Sequence, residues 1–323
     1  MKPTTLTNFP KVNISILPTQ LMKLENISKK YNYNIYCKRD DLTGFAFGGN
    51  KTRKLDYLIA DAKNKKADTL IGVGAIQSNF CRIMAGAGIA NGFEVHLVLG
   101  GKKPEKSSAN YLLIEMFNAK IHNVDSEIWD DWENTGKNLA AELTKKGKSV
   151  YYMPIGGSSP IGALGYADAF FEILEDCEKL KLKFDYIMHS STSAVTQSGL
   201  LIGQKLSGWN GKIIGIGSAK NQKQLTDEIF VLSNEAGKFF NISIDFDDII
   251  TDDKYIGKEY GVITEKGREA VNIFARMEGI FLDYVYSGKA ASGLIDYLEK
   301  GKFEKDANIL FIHTGGNVHL FKN

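Results

Sequence analysis

Short, continuous apolar runs alternate along the chain with longer stretches in which apolar residues return at helical spacing. The short runs are Asn34 to Cys37, Thr69 to Gly74, Glu94 to Leu99, Lys120 to Val124, Ser149 to Met153, Tyr186 to His189, Lys212 to Ile216 and Asn308 to His313. A strand covered on both faces has no polar side to alternate with, so such runs predict buried strands. The longer stretches predict amphipathic helices over Leu21 to Tyr31, Lys54 to Lys65, Asn110 to Asn118, Trp129 to Lys146, Ser198 to Leu206, Gln222 to Lys238 and Glu265 to Met277. Three further helices end near Ala90, Leu180 and Lys300. Strands and helices in strict alternation give an α/β fold with open, mostly parallel sheets, right-handed crossovers and helices on both faces. The Pro/Gly/Ser cluster from Pro154 to Pro160 marks a lobe boundary, and residues 240–261 read as a connecting excursion. No internal repeat or low-complexity tract interrupts the pattern.

Composition narrows the function without naming it. With 323 residues, 43% hydrophobic and 24% charged, the chain has an ordinary globular make-up and enough length for two lobes. A formal net charge of +2, spread evenly, gives no nucleic-acid or membrane surface. No apolar run reaches the roughly 20 residues of a membrane span, and the first residues lack the apolar core and cleavage site of a signal peptide. Cys37, Cys81 and Cys177 are few and far apart, which predicts reduced thiols and a cytoplasmic protein. The histidines are scattered, and neither C-x-x-C nor H-E-x-x-H occurs, so no metal site is expected.

Candidate chemistry gathers at the predicted carboxyl ends of strands, where open parallel sheets place ligands. In Phe47-Gly48-Gly49-Asn50-Lys51, a tight glycine turn precedes a lysine that is fixed by its backbone at a helix start. Burial lowers the pKa of such a lysine and makes it a nucleophile for an aldehyde; the alternative is a solvated basic turn. Gln77-Ser78-Asn79 can aim amides and side chains at an anion or can simply cap a helix. The segment Ser190 to Gln197 combines hydroxyls with free helix-start amides, which suit a phosphate. His313-Thr314-Gly315-Gly316 lets backbone pass close to a ligand or forms a plain turn. Gly72-x-Gly74 invites a dinucleotide reading, but Gln77 stands where the third glycine belongs.

Taken together, KRDDLTGFAFGGNKTRKLDYL, GVGAIQSNF, GGSSPIGALGY, YGVITEKG, EGIFLDYVYSGKAASGLIDYL and LFIHTGGN run in order over nearly the whole chain. They resemble the pyridoxal-phosphate enzymes that include D-cysteine desulfhydrase and 1-aminocyclopropane-1-carboxylate (ACC) deaminase, on the fold of the tryptophan synthase β subunit. The resemblance implies a two-lobed homodimer with residues 53–153 inserted as a small lobe into a large cofactor-binding lobe of 1–52 plus 154–323. It implies that Lys51 bonds the cofactor and moves the α-proton, and that Asn50 and Asn79 lie beside it, Asn79 on the ring oxygen. Thr192, Ser193, Ala194, Val195 and Thr196 would hold the phosphate, with Ser287 and Thr314 near the ring. Gln77, Ser78, Asn79, Phe80 and Gly157 would meet the amino-acid substrate, and Ser78, Tyr260 and Tyr286 would take part in the chemistry.

ACC deaminases carry a glutamate where Ser287 stands and a leucine where Thr314 stands. The hydroxyls leave the ring nearer neutral, which suits β-elimination of a good leaving group and a D-cysteine-type lyase. Phe80 replaces a histidine or glutamine, and Tyr284 replaces a proline. Ala194 and Val195 replace glycines and do not adopt positive φ cheaply, which predicts a differently bent phosphate loop. The alternatives are a relative acting on ACC, cysteate or another β-substituted amino acid, and a non-catalytic binding protein on this fold.

Overall fold

The structure is a computed structural model that describes residues 2–322. Helix α1 (Thr4–Thr7) precedes β1 (Leu21–Lys23), α2 (Glu25–Tyr31) and β2 (Asn34–Lys38). Then come α3 (Asn50–Asn64), β3 (Thr69–Ala75), α4 (Asn79–Ala90), β4 (Glu94–Gly100), α5 (Ala109–Met116), β5 (Lys120–Val124), α6 (Trp129–Lys145) and β6 (Val150–Met153). The rest is α7 (Pro160–Leu180), β7 (Tyr186–Ser191), α8 (Val195–Ser207), β8 (Lys212–Gly217), α9 (Gln222–Gly237), β9 (Ile250–Asp252), α10 (Glu265–Glu278), α11 (Ser287–Glu299) and β10 (Asn308–Ile312).

Two sheets result, one in the order β1-β2-β10-β7-β8-β9 and one in the order β5-β4-β3-β6. Among the described residues, only the β1–β2 pair is antiparallel. The expected α/β class therefore holds. In the larger sheet, Ile187, Ile213 and Leu310 pack with α7, α8 and α9, whereas Met188, Ile214 and Phe311 pack with α10 and α11. Neighbours in sequence point to opposite faces, as the pleat requires, and both faces are covered by helices. The smaller sheet buries Leu70, Leu97 and Leu99 against α3 and α4, and Val73 and Val98 against Trp132 of α6.

Three departures from the sequence reading have local causes. The helix expected from Leu21 is a strand up to Lys23, because the Leu24 amide bonds the Ile35 carbonyl at 2.8 Å and continues the pairing with β2. The excursion at 240–261 contains β9, a strand too short for periodicity to reveal. Helices α3 and α8 begin earlier than expected, at Asn50 and Val195, so the polar residues read as loop form their first turns.

Helix α3 serves both sheets. Its Leu55, Leu58 and Ile59 join the core under the smaller sheet, and its Tyr57 joins the core of the larger one.

Candidate active site

A cleft of about 750 Å³ lies between the sheets, at the carboxyl ends of β3, β7 and β10. One wall starts at the turn before α3. Gly49 takes φ 117°, and Asn50 donates its amide to the Thr314 carbonyl at 3.0 Å. A Cβ on Gly315 would stand 2.6 Å from the Gly49 Cα. The glycines of the HTGG segment thus let two stretches of this chain touch, which fixes the start of α3, and they line the cleft as well. Lys51 therefore enters the cleft from the first helical turn. Burial pushes its amine down to about 8, partly offset by a bond to Lys54. Lys54 is fully buried, and its amine meets no oxygen. Burial, and then the Lys51 charge, lowers it well below the ordinary range. The pair favours a neutral amine at a position where a nucleophile is useful.

Beside Lys51 runs the hydroxyl-rich segment between β7 and α8. Ser190, Ser191, Thr192, Ser193, Ala194 and Thr196 all line the cleft, and the Thr196 hydroxyl accepts from the Asn50 side-chain Nδ2 at 3.1 Å. The Ser190 and Ser191 hydroxyls are buried with no partner. Ala194 sits at φ 61°, ψ −37° immediately before α8. The alanine thus adopts a positive φ, the conformation the sequence reading held to be costly for it. Val195 is already helical and fully buried, and it does not line the cleft. Orphaned hydroxyls, a strained turn and a helix start facing an adjacent amine suit a phosphate joined to an aldehyde, so this wall fits pyridoxal phosphate.

The opposite wall comes from the smaller sheet. Ser78 caps α4 by accepting the Cys81 amide at 3.1 Å, which leaves its own proton free to donate. Asn79 presents its Oδ1 to Arg82 at 2.8 Å and to Asn110 at 2.9 Å. A guanidinium can only donate, so the Asn79 NH2 must face the other way, towards the cleft that the residue lines. Gln77 departs from its expected place. Its Nε2 donates to the Ser108 carbonyl at 3.2 Å, its Oε1 accepts the Asn110 amide at 2.9 Å, and it does not line the cleft. Phe80 does line the cleft and is otherwise buried in the core. Gly157 does not line it; a Cβ there would stand 2.9 Å from the Phe80 ring, so this glycine makes room for the ring rather than for a ligand.

Tyr260 and Tyr286 line the mouth and share a hydrogen bond between their hydroxyls. Burial raises both phenols, Tyr286 well above its ordinary value with a further contribution from Tyr260, so both stay protonated. Thr314 lines the cleft, but Ser287 does not. The Ser287 hydroxyl donates to Asp283 at 2.6 Å, and the Val285, Tyr286 and Ser287 amides also bond that carboxylate. Asp283, Arg82, Asn110 and Trp129 were not singled out from sequence. Asp283 four residues before Ser287, at a helix start, is a capping signal that could have revealed it.

Residues 12–315 match the family described as "Pyridoxal-phosphate dependent enzyme", and the chain belongs to that family. A Pyrococcus furiosus protein named provisionally as a 1-aminocyclopropane-1-carboxylate deaminase is 38% identical over 311 residues, 96% of this chain and 93% of that protein. The protein named D-cysteine desulfhydrase in Salmonella typhi is 36% identical over 323 residues, 98% of this chain and 97% of its own. The crystal structure of an ACC deaminase homologue superposes with a TM-score of 0.91 at 36% identity, covering 98% of this chain and 95% of that one. Threonine deaminase isoform 2 from Solanum lycopersicum shares the fold, with a TM-score of 0.72 at 17% identity over 97% and 83% of the two chains. The family resemblance, the cofactor and the fold expected from sequence are borne out, and the chain is a pyridoxal-phosphate-dependent lyase.

Proposed function

We propose that the protein catalyses α,β-elimination on D-cysteine, converting D-cysteine and water to pyruvate, hydrogen sulfide and ammonia. The observation that carries this reading is the absence of any carboxylate among the described residues lining the cleft, where Lys51 is the only charged side chain. A ring with no acid beside it is a modest electron sink, sufficient for a good leaving group such as sulfide.

When bound, pyridoxal phosphate supplies an electron-withdrawing ring that takes up the electron pair released at the α carbon. Thr192, Ser193 and Thr196, with the amides at the start of α8, would hold the phosphate. The Asn79 NH2 would hold the ring hydroxyl, with Asn50 and Thr314 alongside. Lys51 would hold the aldehyde carbon and, once displaced by the substrate amine, would take the α-proton as an amine of lowered pKa. Ser78 donates to the substrate carboxylate. The hydroxyl pair of Tyr260 and Tyr286 has one proton not used between the two rings, and it protonates the departing sulfur. Residues 53–153 act as a small lobe against a large lobe of 1–52 and 154–323. A cytoplasmic homodimer accords with the family resemblance, and all three cysteines are free and buried. Among the described residues, no helix is long and apolar enough to cross a membrane.

A second reading keeps the cofactor and residues but changes the substrate to ACC, cysteate or another β-substituted amino acid; Phe80 on the cleft wall favours it. Incubating the cofactor-loaded enzyme with D-cysteine and measuring pyruvate and sulfide separates the two. Equal yields of both support elimination from D-cysteine. No turnover by a fully loaded enzyme sinks the first reading and leaves the second.

A further inference from the structure

Trp129 is the first residue of α6, and Trp132 follows at the spacing that puts both on one helix face. Trp132 is the anchor. It is buried, its indole donates to the Ser126 carbonyl at 2.7 Å, and it fills the space over Gly100, where a Cβ would stand 1.8 Å from the ring. That anchorage leaves Trp129 directed at the cleft, which it lines.

The Trp129 indole is held on several sides. It stacks on Trp132 with centroids 6.1 Å apart and meets the Tyr260 ring at 5.6 Å, nearly perpendicular. The Lys220 ammonium lies 5.1 Å over its ring and pairs with Glu228. Lys220 follows β8 and Tyr260 precedes α10, so both come from the part of the chain built on the larger sheet. The indole thus spans the cleft from the smaller sheet to the larger, beside a tyrosine of the site.

Under the reading above, the hydroxyl wall, Lys51, Asn79 and Ser78 are taken up by the cofactor and by the groups on the α carbon. The large side chains that remain for the substituent on the β carbon are Phe80, Trp129, Ile155, Tyr260 and Tyr286. We propose that Trp129 is the specificity-determining residue of this cleft, closing an aromatic pocket that accepts an uncharged sulfur substituent, thiol or small thioether, and rejects a sulfonate. A sulfonate there would lose its water among rings, with Lys51 engaged by the cofactor and Lys220 already paired with Glu228, whereas a thioether sulfur is favourable against aromatic edges.

The test rests on the elimination reading but separates from it. Pyruvate release by the cofactor-loaded enzyme is measured with D-cysteine, S-methyl-D-cysteine, S-benzyl-D-cysteine and D-cysteate. The wild type should use S-methyl-D-cysteine with a kcat/KM about 100-fold above that for D-cysteate. Trp129→Ala should raise the S-benzyl to S-methyl ratio of kcat/KM about tenfold, and Trp129→Phe by less. Comparable use of D-cysteate, or an unchanged ratio in a folded Trp129→Ala or Trp129→Phe, overturns the proposal. If the wild type turns over none of the panel, the elimination reading fails and binding decides the inference. The chain has three tryptophans, so Trp129 emission is read as the difference between wild type and Trp129→Phe. Saturable quenching of that emission by S-methyl-D-cysteine but not by D-cysteate supports the pocket, and any other order overturns it.

Discussion

The two walls of the cleft are made of different materials. The wall beside β7 and α3 is polar and under tension, with Ser190 and Ser191 hydroxyls lacking partners, Ala194 at φ 61° and two buried amines at Lys51 and Lys54. The wall beside β3 and α6 is packed, and its cleft-lining polar groups are largely bonded to the chain, though the Arg82 Nε behind it is not. Phe80 fills the gap at Gly157, the Asn79 oxygen is bonded twice, and Trp129 is held by rings and a cation. Unmet polarity is costly in a folded chain unless something else meets it. The first wall is therefore arranged around a ligand, and the second around the chain itself. Deleting an unpaired hydroxyl on the first should weaken ligand binding with little loss of stability, whereas emptying a packed site on the second, as at Phe80, should cost stability.

The largest expected effect is at Lys51. Lys51→Ala should lower kcat about 10⁴-fold and remove the visible absorbance of the bound cofactor, with unfolding by urea little changed. The pH dependence follows from its lowered pKa. Below about 8 the amine carries a proton and cannot attack an aldehyde, so cofactor uptake by stripped wild-type protein should rise with pH through about 8 and then level off. A flat uptake profile would mean that Lys51 is not the amine titrating. Next comes Phe80→Ala, expected to cost about 3–5 kcal/mol in urea unfolding, because it empties a fully buried site. A cost under about 1 kcal/mol would remove the distinction between the walls. Ser191→Ala should weaken cofactor binding about tenfold, while leaving the stripped protein as stable or up to about 1 kcal/mol more stable, since it deletes an unpaired buried hydroxyl. Loss of stability in that variant would show that the hydroxyl already has a partner. The smallest effect is at Ala194→Gly, which should stabilise by about 0.5–1 kcal/mol as relief of the positive φ outweighs the glycine entropy cost. Circular dichroism melts read this, and a destabilised variant would mean that the turn is not strained.

The first wall was the more legible in sequence. Glycines before a lysine, and hydroxyls between a strand and a helix, are local signals, because the backbone they demand is set by the residues themselves. Lys51 and the segment from Thr192 to Thr196 fall where those signals put them, Val195 excepted. The second wall depends on partners distant in sequence. Gln77 turns away because Ser108 and Asn110 claim its amide, Gly157 serves Phe80, and Ser287 serves Asp283. No periodicity reports such pairings. Trp129 sits in a helix already predicted, and only the indole of Trp132 over Gly100 sets which way it faces. Ala194 teaches a separate point: a residue type that disfavours positive φ can still be held there by the turn around it.

Helix α3 carries Lys51 at its first turn and packs into both cores along its length. Mechanically it is a shared beam. A load on either core reaches the first turn through the same helix, so the position of the Lys51 amine is tied to both sheets at once.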